Sequence, residues 1–320
     1  MQTYLKTKPV WMQLLLFLGM AMGIFVVVSL LGSSLITAIV GMNLMEMGPI
    51  SGWDKTDPRV LTSLRGMLLL QFLGLFTIPS LLFSYFSDPR PLHYLGLRKP
   101  WKAGYWFVGI ALLFIAIPLV EGTGLINKKI NFGPELQTWA QTMEDEATKT
   151  IQFMLAPNSW TDLVLNLIFI AVFAAVGEEL FFRGILQRLF IKGTGSPWGG
   201  IIIAAFFFSF FHFQFFGFIP RFLLGIVLGA IYWYSGSLWT AIAAHFAYDA
   251  LIIVLYHFNP EMLQNPDAPI VAPTIMGTAV LISAAGVGLL LWWMKKASRT
   301  SFEEEYRDDE EQPSEKDLSF

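Results

Sequence analysis

Residues 168–190 read IFIAVFAAVGEELFFRGILQRLF, an apolar run long enough to cross a hydrocarbon core of about 30 Å, yet broken near its middle by Glu178, Glu179 and Arg183. Two further apolar runs carry the same kind of interruption. His212 sits in 201–216 (IIIAAFFFSFFHFQFF), and His245 and Asp249 open 245–258 (HFAYDALIIVLYHF). An ionisable side chain at membrane depth is costly, so one found there faces a partner, a cavity or a chemical task. These six residues, on three runs, read as one site.

The rest of the chain has the same apolar character. Hydrophobic residues make up 55% of it and charged residues 14%, and the mean hydropathy is +0.57. That excludes an ordinary soluble globule and sets the fold class as an all-α polytopic membrane protein. Apolar runs near 10–40, 66–86, 103–125, 161–190, 198–216, 221–237, 239–258 and 271–294 predict about eight transmembrane helices around a buried polar active site. The first run follows Lys6 and Lys8 as a signal peptide would, but it is too long and lacks a small-x-small cleavage site, so it reads as a retained anchor helix. The chain has no cysteine, which excludes disulfides, thiolate metal sites and a cysteine nucleophile. Net charge is −3, with much of the acid gathered in 303–311, and no nucleic-acid partner is indicated.

Five segments follow: N-terminal transmembrane helices (1–125), an extracytoplasmic amphipathic segment (126–160), a core carrying the three interrupted runs (161–260), a final transmembrane helix (261–296) and an acidic, disordered cytoplasmic tail (297–320). In the second, Leu136, Trp139, Ala140, Met143, Ala147, Ile151 and Met154 recur at helical spacing opposite Glu144, Asp145 and Lys149. A helix lying on the bilayer and a helix packed over the outer ends of the spans both fit this pattern. Lys6, Lys8, Arg90, Arg98, Lys99, Lys102, Arg188, Lys192, Lys295, Lys296 and Arg299 fall on one side. Lys55, Arg59, Lys128, Lys129, Lys149 and Arg221 fall on the other. The bias predicts an even number of spans with both termini cytoplasmic.

Glu179 and Arg183 are four apart on one helix face, so they form an ion pair that lowers the cost of burying each. Glu178 is rotated by about 100° from Glu179 and stays available for general-base chemistry. Phe208 and His212 share a helix face, as do His245 and Asp249. Measured from an inner surface near Lys192 and Ser196, Glu178 and His212 both lie about 21–24 Å along their helices. From Gly236, Asp249 lies at about 20 Å and His245 at about 14 Å. All four occupy one layer. His93 and His257 are expected to face solvent, and Gly225 and Gly229 to mark close helix packing.

Glu-Glu-x-x-x-Arg at 178–183, Phe-x-x-x-His at 208–212 and His-x-x-x-Asp at 245–249, in that order on successive apolar runs, resemble the three motifs of the CPBP intramembrane proteases. That family includes type II CAAX prenyl endopeptidases and Abi-type bacteriocin-processing and immunity proteins. The resemblance spans roughly 160–260. It implies that Glu178 and His212 activate a water for attack on a peptide carbonyl, while His245 and the residue at 249 stabilise the oxyanion. One departure is the Asp at 249, where many members have Asn. An ionised Asp249 cannot donate a hydrogen bond, so it is protonated, orients His245 or binds a metal.

The resemblance thus implies an intramembrane endopeptidase cutting a membrane-associated peptide or protein, with no cofactor. Zinc held by Glu178, His212, His245 and Asp249 is the alternative, although the chain has no His-Glu-x-x-His. The partners expected are that substrate and the lipid bilayer, and the setting expected is a bacterial inner membrane. Prenylated substrates belong to eukaryotic hosts, so the substrate is not named by the resemblance. Oligomeric state is not readable. Two other readings use the same residues: a catalytically silent scaffold or immunity protein of this fold, and a small transporter relaying protons.

Overall fold

Proline, serine and glycine set the ends of the helices. Asp57 and Pro58 start one, Ser159 caps another through Asp162 N–H, and Ser196 with Pro197 starts a third. Left-handed Gly41, Gly195 and Gly236 terminate three. The computed structural model describes residues 3–42, 52–54, 57–131, 133–157, 159–264 and 270–310, with helices and no strand among them. The longer ones, in chain order, are α1 (Val10–Val40), α2 (Pro58–Ser87), α3 (Gly104–Asn127), α4 (Pro134–Leu155), α5 (Trp160–Thr194), α6 (Pro197–Phe210), α7 (Phe218–Ser235), α8 (Leu238–Phe258), α9 (Met276–Ala297) and α10 (Phe302–Glu310).

Among the described residues, seven helices are long and apolar enough to cross a membrane: α1, α2, α3, α5, α7 with the turn before it, α8 and α9. The eighth expected span is the 14-residue α6. At about 1.5 Å per residue it is about 21 Å long, short of a full crossing. The run 201–216 is therefore not one continuous span. Its helix stops at Phe210, and Phe213 adopts a left-handed φ of 53° that turns the chain into a short 3₁₀ turn, Phe215–Gly217. Exposed apolar side chains such as Leu31, Ile39, Phe107, Leu281 and Ile282 cover the outside of the bundle. An apolar surface of this extent is covered by lipid rather than water, and the protein is an integral, multi-pass membrane protein.

Both ends of the described chain meet at the same end of the bundle. Leu5 N–H donates to Phe86 O at 3.1 Å, and Glu305 of α10 bridges Arg98 (2.6 Å) and Arg188 (3.1 Å). Tyr306 donates to Arg188 O at 3.0 Å. This corrects the expectation of a disordered tail for 302–310, which is helical, with Glu305 and Tyr306 docked. The carboxylate finds two arginines on separate segments, and Tyr306 is 3% exposed. Residues 311–320, and Lys55 from the charge comparison, lie outside the described residues. Glu305→Ala is expected to cost about 1.5–3 kcal/mol, the worth of hydrogen bonds to charged groups. A thermal-unfolding midpoint in detergent should fall by roughly 5 °C.

At the opposite end, α4 packs over the helix ends. Trp139 meets Phe215 at 5.3 Å, Gln152 donates to Leu263 O at 2.7 Å, and Asn166 donates to Met154 O at 3.0 Å. Of the two readings of this amphipathic helix, the packed one describes these contacts. Helices α1 and α2 back the middle of α5 with aromatic rings: Phe17 lies 4.8 Å and Phe76 5.6 Å from Phe181, and Phe72 stacks on Phe173 at 4.4 Å. The other face of α5 is left to α6, α7 and α8.

Candidate active site

Between Glu179 and Gln187, α5 widens into a π-helical stretch, a distortion that often accompanies functional sites. Just before it, Gly177 lets α2 approach, since a Cβ there would lie 3.1 Å from both Phe72 and Phe76 side chains. Glu179 points into the protein and is fully buried, whereas Glu178 lines a cavity of about 360 Å³. The divergence expected from their rotation is present.

Glu179 is the hub of the buried charges. Its Oε1 accepts from Arg183 Nη1 at 2.7 Å and lies 2.9 Å from His245 Nδ1. Arg183, 1% exposed, also donates to Gly225 O at 3.2 Å, and its guanidinium sits 4.3 Å over the Phe208 ring. A Cβ at Gly225 would come 2.9 Å from Ala205 Cβ, so the glycine both brings α7 against α6 and bares the carbonyl that Arg183 uses. Phe208 is thus more than a spacer for His212. It meets His212 edge-on at 5.0 Å and His245 at 6.2 Å, and it seats the arginine that holds Glu179.

His212 lies two residues beyond the end of α6, on irregular backbone that lines the cavity, a setting in which such backbone is tolerated at membrane depth. Its Nδ1 is 2.6 Å from Phe208 O. A carbonyl only accepts, so Nδ1 carries the hydrogen, and in the neutral ring Nε2 is left with a lone pair. His245 faces Asp249 as well, with Nε2 3.4 Å from Oδ2. Glu178, His212, His245 and Asp249 all border the same cavity, as the depth comparison expects. Of the other two histidines, His93 is exposed at the Arg98 loop and His257 packs on Trp160 at 5.2 Å.

Three features of the site lie outside the motifs. Glu179 holds His245 in addition to Arg183, a contact between two motifs that spacing within each cannot reveal. Tyr248 joins the cavity wall. Arg221, counted on sequence among the outer-side bases, also lines the cavity; its place in the first turn of an apolar helix was the available signal. As to zinc, His245 has both ring nitrogens turned to carboxylates. Among the described residues no group of three or more His, Asp or Glu side chains is arranged to hold a metal ion.

The fold and site together define a multi-pass helical membrane protein with a carboxylate and imidazole cluster at the wall of a buried cavity. Its residues 160–251 match the model of the family described as type II CAAX prenyl endopeptidase Rce1-like. The matched stretch contains every residue of the three motifs, and the match bears out the CPBP resemblance. The family points to a protease, and so to a membrane-embedded protein substrate in a lipid bilayer. No curated protein and no solved structure matches the chain.

Proposed function

We propose that this protein is an intramembrane endopeptidase that hydrolyses a peptide bond of a membrane-associated protein or peptide, using a water activated by Glu178 and His212. The observation that carries the reading is the meeting of Glu178 and His212 on one cavity, the imidazole fixed with its Nε2 lone pair unspent. A water between them gives up its proton as its oxygen bonds to the carbonyl carbon. The carbonyl becomes an oxyanion, the C–N bond then breaks, and the proton passes to the leaving amine. His245 is anchored by Glu179 through Nδ1; its Nε2–H, 3.4 Å from Asp249 in the substrate-free site, becomes the oxyanion's donor when it turns from that carboxylate to the oxyanion. Of the three readings of Asp249, orientation of His245 is the one this geometry supports. The Lys and Arg clustering around Lys6, Arg98, Lys192 and Lys295 supports a cytoplasmic location for both termini, the short α6 serving with the seven longer helices to return the chain to the side on which it began, with a bacterial inner membrane as the setting.

The reaction is metal-free in this account, supported by the engagement of both His245 nitrogens by carboxylates. Cleavage of membrane-anchored peptides by purified protein in liposomes is therefore expected to persist in the presence of a strong chelator, to within about twofold. Loss of activity on chelation, restored by zinc, would replace the direct water mechanism with a metal-bound one.

A further inference from the structure

Arg221 is the charged group of the cavity that the mechanism leaves unused. Its guanidinium is held in place: Nη1 donates to Gln214 O at 2.9 Å and Nη2 to Gln214 Oε1 at 2.6 Å. Gly217 makes room for it, since a Cβ there would lie 2.7 Å from Nη2. These partners are neutral oxygens. Among the described residues no carboxylate lies within ion-pair distance of Arg221; the acids whose field reaches it are Glu144 and Glu178. The cavity wall combines apolar residues such as Leu113, Val120, Leu224 and Leu228 with Glu178, His212, His245 and Asp249, the groups given roles above, and the guanidinium, with two of its N–H hydrogens used on Gln214, keeps donors for a further anion there.

The surroundings say where that anion comes from. A second cavity of about 340 Å³ adjoins the first and shares Val120, Gly217, Pro220 and Tyr248 with it. Arg221 follows two of these shared residues in the chain. A peptide reaching Glu178 from the second cavity passes the guanidinium within a few residues of the bond to be cut, at about 3.3–3.6 Å per residue.

We propose that Arg221 is a substrate subsite that recognises a carboxylate close to the scissile bond, and so makes the protein selective for substrates carrying an acidic group there. The proposal rests on the protease reading for its location. A planar guanidinium pairs with a carboxylate through two parallel hydrogen bonds, which an amide of the same shape cannot match. The carboxylate is either an Asp or Glu side chain or a free chain terminus.

The test uses membrane-anchored peptides in matched pairs: Glu against Gln at each position flanking the cleaved bond, and a free C-terminus against its amide. For the full-length protein, kcat/KM is expected to favour the acid by about 10- to 100-fold in one pair, which identifies the source. In Arg221→Gln that ratio should fall to about 1, and Arg221→Lys should keep part of it. A ratio near 1 in the wild type, or one that survives Arg221→Gln, would overturn the proposal and assign Arg221 to the fold or to the field at Glu178. The same pairs are titrated by fluorescence anisotropy onto Glu178→Gln protein, which separates this proposal from the reading it rests on. An Arg221-dependent preference for the acid in binding, without hydrolysis by the wild type, would keep the subsite and remove the protease.

Discussion

Glu179→Ala is expected to destabilise the protein by about 3–5 kcal/mol, the usual cost of leaving one member of a buried ion pair alone. The cost arises at Arg183, which is 1% exposed and would keep only Gly225 O and the face of Phe208 as partners. A thermal-unfolding midpoint in detergent should drop by roughly 10 °C. The double variant Glu179→Leu with Arg183→Met tests the cause, because replacing a whole buried pair by apolar residues is often neutral. Stability should largely return in it. Activity should not, since His245 would still lack the acceptor 2.9 Å from its Nδ1. If stability stayed low in the double variant, the loss would belong to packing of the π-helical stretch rather than to the unpaired charge.

His212→Ala is expected to lower kcat by about 10²–10⁴-fold, the range for a missing general acid or base. Its structural cost should be small. His212 sits past the end of α6, and the protein contact of its ring nitrogens is the Phe208 carbonyl four residues back. Steady-state cleavage measured beside thermal unfolding separates the two effects. A variant that unfolds early would make His212 a structural residue, and one that keeps wild-type turnover would remove it from the chemistry.

The helical class, and the gathering of Glu178, His212, His245 and Asp249 on one cavity, were legible in the sequence because both depend on local signals: unbroken apolar length, and ionisable residues where a membrane allows few. Glu179 and Arg183 were legible as a pair because both lie on one helix at a spacing that the π-helical stretch preserves. What the sequence hid was relational. Phe208 and Glu179 act across three helices, and no spacing within a motif encodes that Glu179 meets His245 or that Arg183 lies over Phe208. The 201–216 run looked like a span because hydropathy does not register a left-handed residue such as Phe213. The acidic tail was read from composition alone, and Glu305 shows the limit of that rule, since two arginines far away in the chain receive it.

The decisive measurement is cleavage of membrane-anchored peptides by purified wild type and Glu178→Gln, reconstituted side by side. Hydrolysis by the wild type is expected, with a loss of at least about 10³-fold in Glu178→Gln, unchanged thermal unfolding and Arg183 still paired to Glu179. Turnover by Glu178→Gln at the wild-type rate would contradict this expectation, and would show that the carboxylate at the cavity wall is not the base.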